Sequence, residues 1–279
     1  MPPQNPEQAD APGVAKRISR RFASLPQVEA VALAGSRAGE LSDADSDVDL
    51  YVYVTEDIPL GAREQIAAGG LRREIGNATW EPGDEWIEAD TGTTVDVMYR
   101  HMRWIEEQLD RVLVRHEASV GCSTCFWYNV LHSQALFDRS GWFAGLQRRA
   151  EMPYPPELRR AIVAKNYPLL RRNQSSYLHQ IELAVKRGDP VSVNHRVAAL
   201  LASYFDVLFA VNELPHPGEK RLLRHAVSTC TKLPRNMEAD VRAVLKAVAD
   251  GNAVTRINGL LDEFDDRLQL EFPSGVKPD

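Results

Sequence analysis

Two seven-residue runs, Val28–Ala34 and Val48–Val54, constrain this chain more than any other feature. Both are apolar enough to lie as strands inside a sheet. Between them stand a small-residue turn, Gly35-Ser36, and a polar loop, and the second run opens on Asp47-Val48-Asp49. Side chains alternate faces along a strand, so Asp47 and Asp49 point the same way with their carboxylates close together. Like charges held in this way repel. Such a pair is suited to sharing a divalent cation, and hard oxygen ligands in this arrangement match Mg²⁺.

The pattern around these runs predicts an α+β chain. Val14–Leu25 has the spacing of a short basic amphipathic helix. Leu60–Ala68 reads as a helix closed by Gly69-Gly70. Glu85–Ala89 and Thr94–Tyr99 flank a turn sequence and read as a β-hairpin. His101–His116 reads as helical. No further strand is expected: Cys125–Phe137 and Gly141–Ala150 read as helices, and Met152–Pro156 as a linker. A helix from Glu157 should end or kink at Pro168. A second helix should run to Arg187, and His195–Asn212 should be a central, strongly apolar helix. Further helices are expected from Glu219, Met237 and Val254. The expected organisation is a disordered tail over 1–13, a mixed lobe over 14–117, an all-helical lobe over 118–272 and a tail over 273–279.

With 279 residues, 44% hydrophobic and 26% charged, the composition is that of an ordinary soluble globular protein. No apolar run approaches a membrane span. Residues 1–13 lack the basic and apolar regions of a signal peptide, so the expected compartment is the cytoplasm. A net charge of -6 weighs against a broad nucleic-acid footprint. The charge is unevenly distributed. Ala38–Asp57 holds seven acidic residues and no Lys or Arg, while Glu157–Arg224 holds eleven Lys/Arg against six Asp/Glu. A metal-bound polyphosphate would suit a cleft between such segments.

A third carboxylate, Asp96, interrupts the apolar run Thr94–Met98. A charge inside a sheet is costly unless paired or bound to metal. With Asp47 and Asp49 it makes three carboxylates on one small sheet. Such a set can hold two cations for phosphoryl or nucleotidyl transfer.

The succession Gly-Ser, polar loop, Asp-x-Asp on a strand and a later lone Asp resembles the signature of the nucleotidyltransferase superfamily. The form G-S-R-A-G followed by S-D-V-D-L is similar to its bacterial aminoglycoside and lincosamide branch. The resemblance covers residues 28–99, and the family commonly adds a helical C-terminal lobe. It implies that Asp47 and Asp49 are the metal-binding pair. It implies that Asp96 is a further metal ligand or the group that takes the acceptor's proton. It also implies that Gly35 and Ser36 hold a triphosphate. Small residues are what such a turn requires, because only they let a backbone approach phosphate closely.

Arg37 and Lys220 are candidate phosphate contacts. A cation at the helix start that Lys220 is expected to occupy opposes the helix dipole, and a triphosphate is the expected counter-charge. Lys165, Arg171 and Arg172 read as a solvated helix face. Tyr204, Phe205 and Phe209 read as core, and Glu85 and Glu88 as a solvated strand. Cys122-Ser-Thr-Cys125 is a lone C-x-x-C. His116 and His132 lie nearby at irregular spacing, so buried thiols at a helix start are expected rather than zinc. The reading is transfer of a nucleoside monophosphate from an NTP, ATP first, to a hydroxyl of a small molecule such as an antibiotic. Two Mg²⁺ ions would assist and pyrophosphate would leave. A macromolecular acceptor, tRNA or protein, and a nucleotide-binding regulator without turnover are the alternatives.

Overall fold

The computed structural model describes residues 11–34, 47–79 and 81–272. Gly35, Ser36 and Arg37 lie outside the described residues. The described chain forms two compact units, neither of them a single stretch of sequence. The first takes residues up to Leu109 together with Asn129–Met152, and the second takes Asp110–Tyr128 and the residues from Pro153 onward. The sequence suggested a single division after residue 117.

The first unit is built on one six-stranded mixed sheet: β1 (Val28–Ala34), β2 (Val48–Val54), β3 (Leu71–Asn77), β4 (Gly83–Ile87), β5 (Thr94–His101) and β6 (Gln134–Asp138). The order is β3-β4-β5-β2-β1-β6, with β2 and β5 parallel and every other neighbouring pair antiparallel. Along β2 the even positions Val48, Leu50, Val52 and Val54 face α1 (Ala11–Ala23) and α2 (Leu60–Ile66). There they join Ile18, Phe22, Val31, Leu33, Val95 and Val97 in one core. The odd positions face the other way. Tyr53 is fully buried, with its ring 5.1 Å from Phe143 and 5.4 Å from Trp142 of α5 (Trp142–Ala150).

Two strands differ from expectation. Cys125–Phe137 is not one helix. It is α4 (Cys125–His132) followed by β6, which pairs with the free edge of β1 through Ala30–Asp138 and Val31–Phe137. An unpaired edge of backbone groups is costly to leave open, and β6 closes it. This return to the sheet is why residues 129–152 belong to the first unit. β3 is the other addition, and it pairs with β4.

The second unit is helical throughout its described residues. Its main elements are α6 (Pro156–Arg171), α7 (Tyr177–Arg187), α8 (Pro190–Val211), α9 (Leu222–Thr229), α10 (Met237–Ala247) and α11 (Ala253–Glu271). α3 (Met102–Leu113) and α4 carry the chain across the division between units. Helix α6 does not stop at Pro168 but continues to Arg171. Proline inside a helix costs about 3 kcal/mol. Burial of Tyr167 and Leu170 on either side of it offsets this by about 1.5–3 kcal/mol each. Tyr204, Phe205 and Phe209 are core, as expected. Arg171 is not simply solvated: it pairs with Asp262 at 2.7 Å and Asp265 at 2.6 Å on α11, and Arg172 reaches Asp265 at 3.4 Å.

One carboxyl lies deep in this unit. Asp206 of α8 is 1% exposed. It accepts from the Ser123 N–H at 2.9 Å, the Ser123 hydroxyl at 2.6 Å and the Asn166 amide at 3.1 Å. Burial outweighs these donors and the Arg111 charge, and raises its pKa from 3.8 to about 7. Between those values the folded chain keeps a proton that the unfolded chain has released. Stability should therefore fall as pH rises from about 4 to 7, by up to about 1.4 kcal/mol per pH unit from this group. Urea unfolding from pH 4 to 7 should show this slope in the wild type and lose it in Asp206→Asn. Equal slopes in both would contradict the assignment.

Candidate active site

The parallel pairing of β2 with β5 places Asp49 directly opposite Asp96. Neighbouring strands lie about 4.8 Å apart, and directly paired residues project from the same face. The two carboxylates therefore stand side by side on the face opposite α1 and α2, both half-buried. Asp47 lies two residues before Asp49, just outside β2, and is exposed. On the other side of Asp49, the pairing residue in β1 is Ala34, the last residue of that strand. Gly35 and Ser36 follow Ala34 directly in sequence.

The row continues in the opposite direction. Glu85 of β4 pairs with Asp96, and Glu74 of β3 pairs with Glu85. Glu74, Glu85, Asp96 and Asp49 thus form one line of acids across four strands, and both glutamates are exposed. The sequence favours a solvated strand for Glu85 over an alternative base or a contact to a cationic acceptor. Glu74 went unnoticed because β3 lacks clear alternation. Glu88, read as solvated alongside Glu85, is buried and structural. It accepts from the Trp86 indole at 2.8 Å and pairs with Arg17 at 2.6 Å.

Further along the same face the sheet is closed by a packed cationic and aromatic group. The Arg100 guanidinium is 5% exposed. It makes two 3.1 Å hydrogen bonds to Glu81 and sits 3.8 Å from the Tyr51 ring centroid. Burial raises the pKa of Tyr51, and the nearby Asp49 charge adds to that rise. Acids at one end and this closed cluster at the other give the face one polar, accessible end, where the carboxylates lie.

The donor set Asp47, Asp49 and Asp96 is all oxygen, which fits a hard divalent cation held at about 2.0–2.1 Å. Carboxylates on adjacent strands could be shared by a pair of ions about 3.5–4 Å apart, the spacing used in phosphoryl-transfer sites. Lys220 lies in the second unit, exposed, two residues before α9. Arg221, between Lys220 and the helix, has a left-handed φ of 55°.

No protein-family model and no curated protein sequence matches this chain. Among solved structures it is similar to a nucleotidyltransferase-like protein from Exiguobacterium sibiricum 255-15. The identity is 12% and the TM-score 0.43, over 93% of this chain and 77% of that one. The likeness assigns no residue and no substrate, and it does not single out the aminoglycoside and lincosamide branch.

Proposed function

We propose that this chain is a metal-dependent nucleotidyltransferase. It moves a nucleoside monophosphate, with ATP as the first donor to test, onto a hydroxyl of a small-molecule acceptor such as an antibiotic. The observation that carries this reading is the register of Asp49 against Asp96 on parallel strands, with Asp47 two residues before. Asp47, Asp49 and Asp96 would hold Mg²⁺, which when bound neutralises charge on the phosphates. The acceptor oxygen forms a bond to the α-phosphorus as the bond to pyrophosphate breaks, and pyrophosphate leaves with the electron pair. Asp96 would take the hydroxyl proton or serve only as a metal ligand. Gly35, Ser36 and Arg37 would contact the phosphates.

The acceptor class is supported by the acids beyond Asp96. Glu85 and Glu74 extend negative charge across the sheet, which attracts an acceptor bearing ammonium groups and repels a nucleic-acid backbone. Among the described residues no helix is long and apolar enough to cross a membrane.

Incubation with α-labelled NTPs and cell extract tests the reading. Label should enter a small-molecule fraction, with release of pyrophosphate. Label in RNA or protein would assign a macromolecular acceptor instead. Neither label transfer nor pyrophosphate would leave a nucleotide-binding regulator.

A further inference from the structure

The second unit brings together three groups that are far apart in sequence. Cys122 Sγ, Cys125 Sγ and His216 Nδ1 all lie within 4.8 Å of one another. Nδ1 is 3.4 Å from Cys122 Sγ and 3.7 Å from Cys125 Sγ. The histidine comes from the two-proline turn before α9, not from His116 or His132. We propose that Cys122, Cys125 and His216 form a binding site for zinc or a similar thiophilic divalent ion. Its fourth position is left to water or a small exogenous ligand. Among the described residues no fourth Cys, His, Asp or Glu joins the group.

The two Sγ–Nδ1 distances fit the ion. Zinc bound at about 2.3 Å to sulfur and about 2.0–2.1 Å to nitrogen, at a tetrahedral angle, holds those atoms about 3.5 Å apart. The two observed Sγ–Nδ1 distances bracket this value.

The imidazole is also in the right tautomer. The Gly218 N–H donates to Nδ1 at 3.1 Å, and a backbone N–H can only donate. Nδ1 is therefore the unprotonated nitrogen, and an ion beside the sulfurs would take its one lone pair in place of the Gly218 N–H.

The frame around the site is fixed by buried groups. The His216 N–H donates to the Thr124 hydroxyl, between the two cysteines, at 2.8 Å. Asp206 holds Ser123, and Asn166 accepts from the Gly121 N–H at 2.9 Å. His216 is 3% exposed, whereas Cys122 is exposed and provides the way in. Outer contacts of this kind orient ligands and raise metal affinity.

The rival is closure of the cysteine pair on itself. The structure pairs Cys122 and Cys125 as a disulfide with a Cα–Cα distance of 5.9 Å, and only its reduction frees two thiols for an ion. A disulfide needs no third group, whereas an unprotonated imidazole nitrogen within 3.4 and 3.7 Å of the two sulfurs is what an ion would use after reduction. Such an ion would also join segments 91 and 94 residues apart. Its binding would therefore stabilise the fold.

The test is metal analysis of the full chain purified under reducing conditions, followed by Co²⁺ substitution. About one equivalent of zinc per chain is expected, with Tm lowered by chelator and restored by zinc. The Co²⁺ form should show a thiolate charge-transfer band. Cys122→Ser should weaken that band, and His216→Ala should lower affinity by about 10-fold or more. The wild-type uptake is read without any substitution, so a variant that fails to fold does not decide the question. Free thiols that take up neither zinc nor Co²⁺ after full reduction would overturn the proposal. Affinity unchanged in folded His216→Ala would also overturn it.

Discussion

Asp49→Asn should reduce nucleotidyl transfer by on the order of 10³-fold or more while leaving the chain folded. The substitution keeps the size and shape of the side chain and removes one negative charge from the line Glu74–Glu85–Asp96–Asp49. A cation shared by Asp49 and Asp96 would lose a charged ligand, so transfer should fall together with the apparent affinity for Mg²⁺. Stability should move the other way. Like charges directly opposite on paired strands destabilise a sheet by about 0.2–1 kcal/mol, and neutralising one relieves that repulsion. The diagnostic result is therefore lost transfer at an equal or slightly higher Tm. Unchanged turnover in a folded Asp49→Asn chain would remove the assignment of this face as the active site. Lost turnover with a collapsed Tm would make Asp49 a structural residue.

The largest effect on stability is expected at Asp84, on the opposite face of the sheet. This carboxylate is 2% exposed and joins four elements. It accepts from Arg63 of α2 through Nε at 2.9 Å and again through a second guanidinium nitrogen. It also accepts from the Tyr99 hydroxyl of β5 at 2.6 Å and from the Gly76 N–H of β3 at 2.8 Å. Arg63 additionally donates to the Gly83 carbonyl at 2.9 Å and lies over the Tyr99 ring at 4.3 Å.

Asp84→Ala leaves the largely buried guanidinium without its counter-charge and two further donors without an acceptor. The expected cost is about 3–5 kcal/mol. In a chain of this size that lowers Tm by on the order of 10 °C. Replacing the pair together, as Arg63→Met with Asp84→Leu, should recover much of the loss, because an apolar pair leaves no charge stranded. Chemical denaturation of the single and double variants measures both values. A single variant within about 1 kcal/mol of wild type would show that this network does not anchor β3 and β4.

Local pattern was sufficient for the elements that bury a regular face. β1 and β2 have the bounds expected for them, and the hairpin of β4 and β5 lies where its turn sequence indicated. β3 and β6 were not legible. Most residues of β3 are exposed, and β6 is only partly covered, so neither shows a period of two. Each is a strand because a neighbouring edge accepts its backbone hydrogen bonds. Pro168 does not end its helix for a related reason: the local cost of proline is smaller than the apolar burial around it.

The candidate chemistry divides in the same way. The sequence by itself determined that Asp47 and Asp49 share a face, because side-chain alternation is a property of the strand alone. It also determined that a turn of small residues precedes them and that Asp96 is a lone acid in a buried run. Only the tertiary structure decided that Asp49 and Asp96 are register partners, and that Glu85 and Glu74 complete their row. Register is set by pairing between distant segments, and a slip of one residue would turn Asp96 to the other face. Likewise only the fold decided that His216, rather than His116 or His132, meets the cysteine pair. That contact is made by the packing of a turn more than ninety residues away, and no local spacing records it.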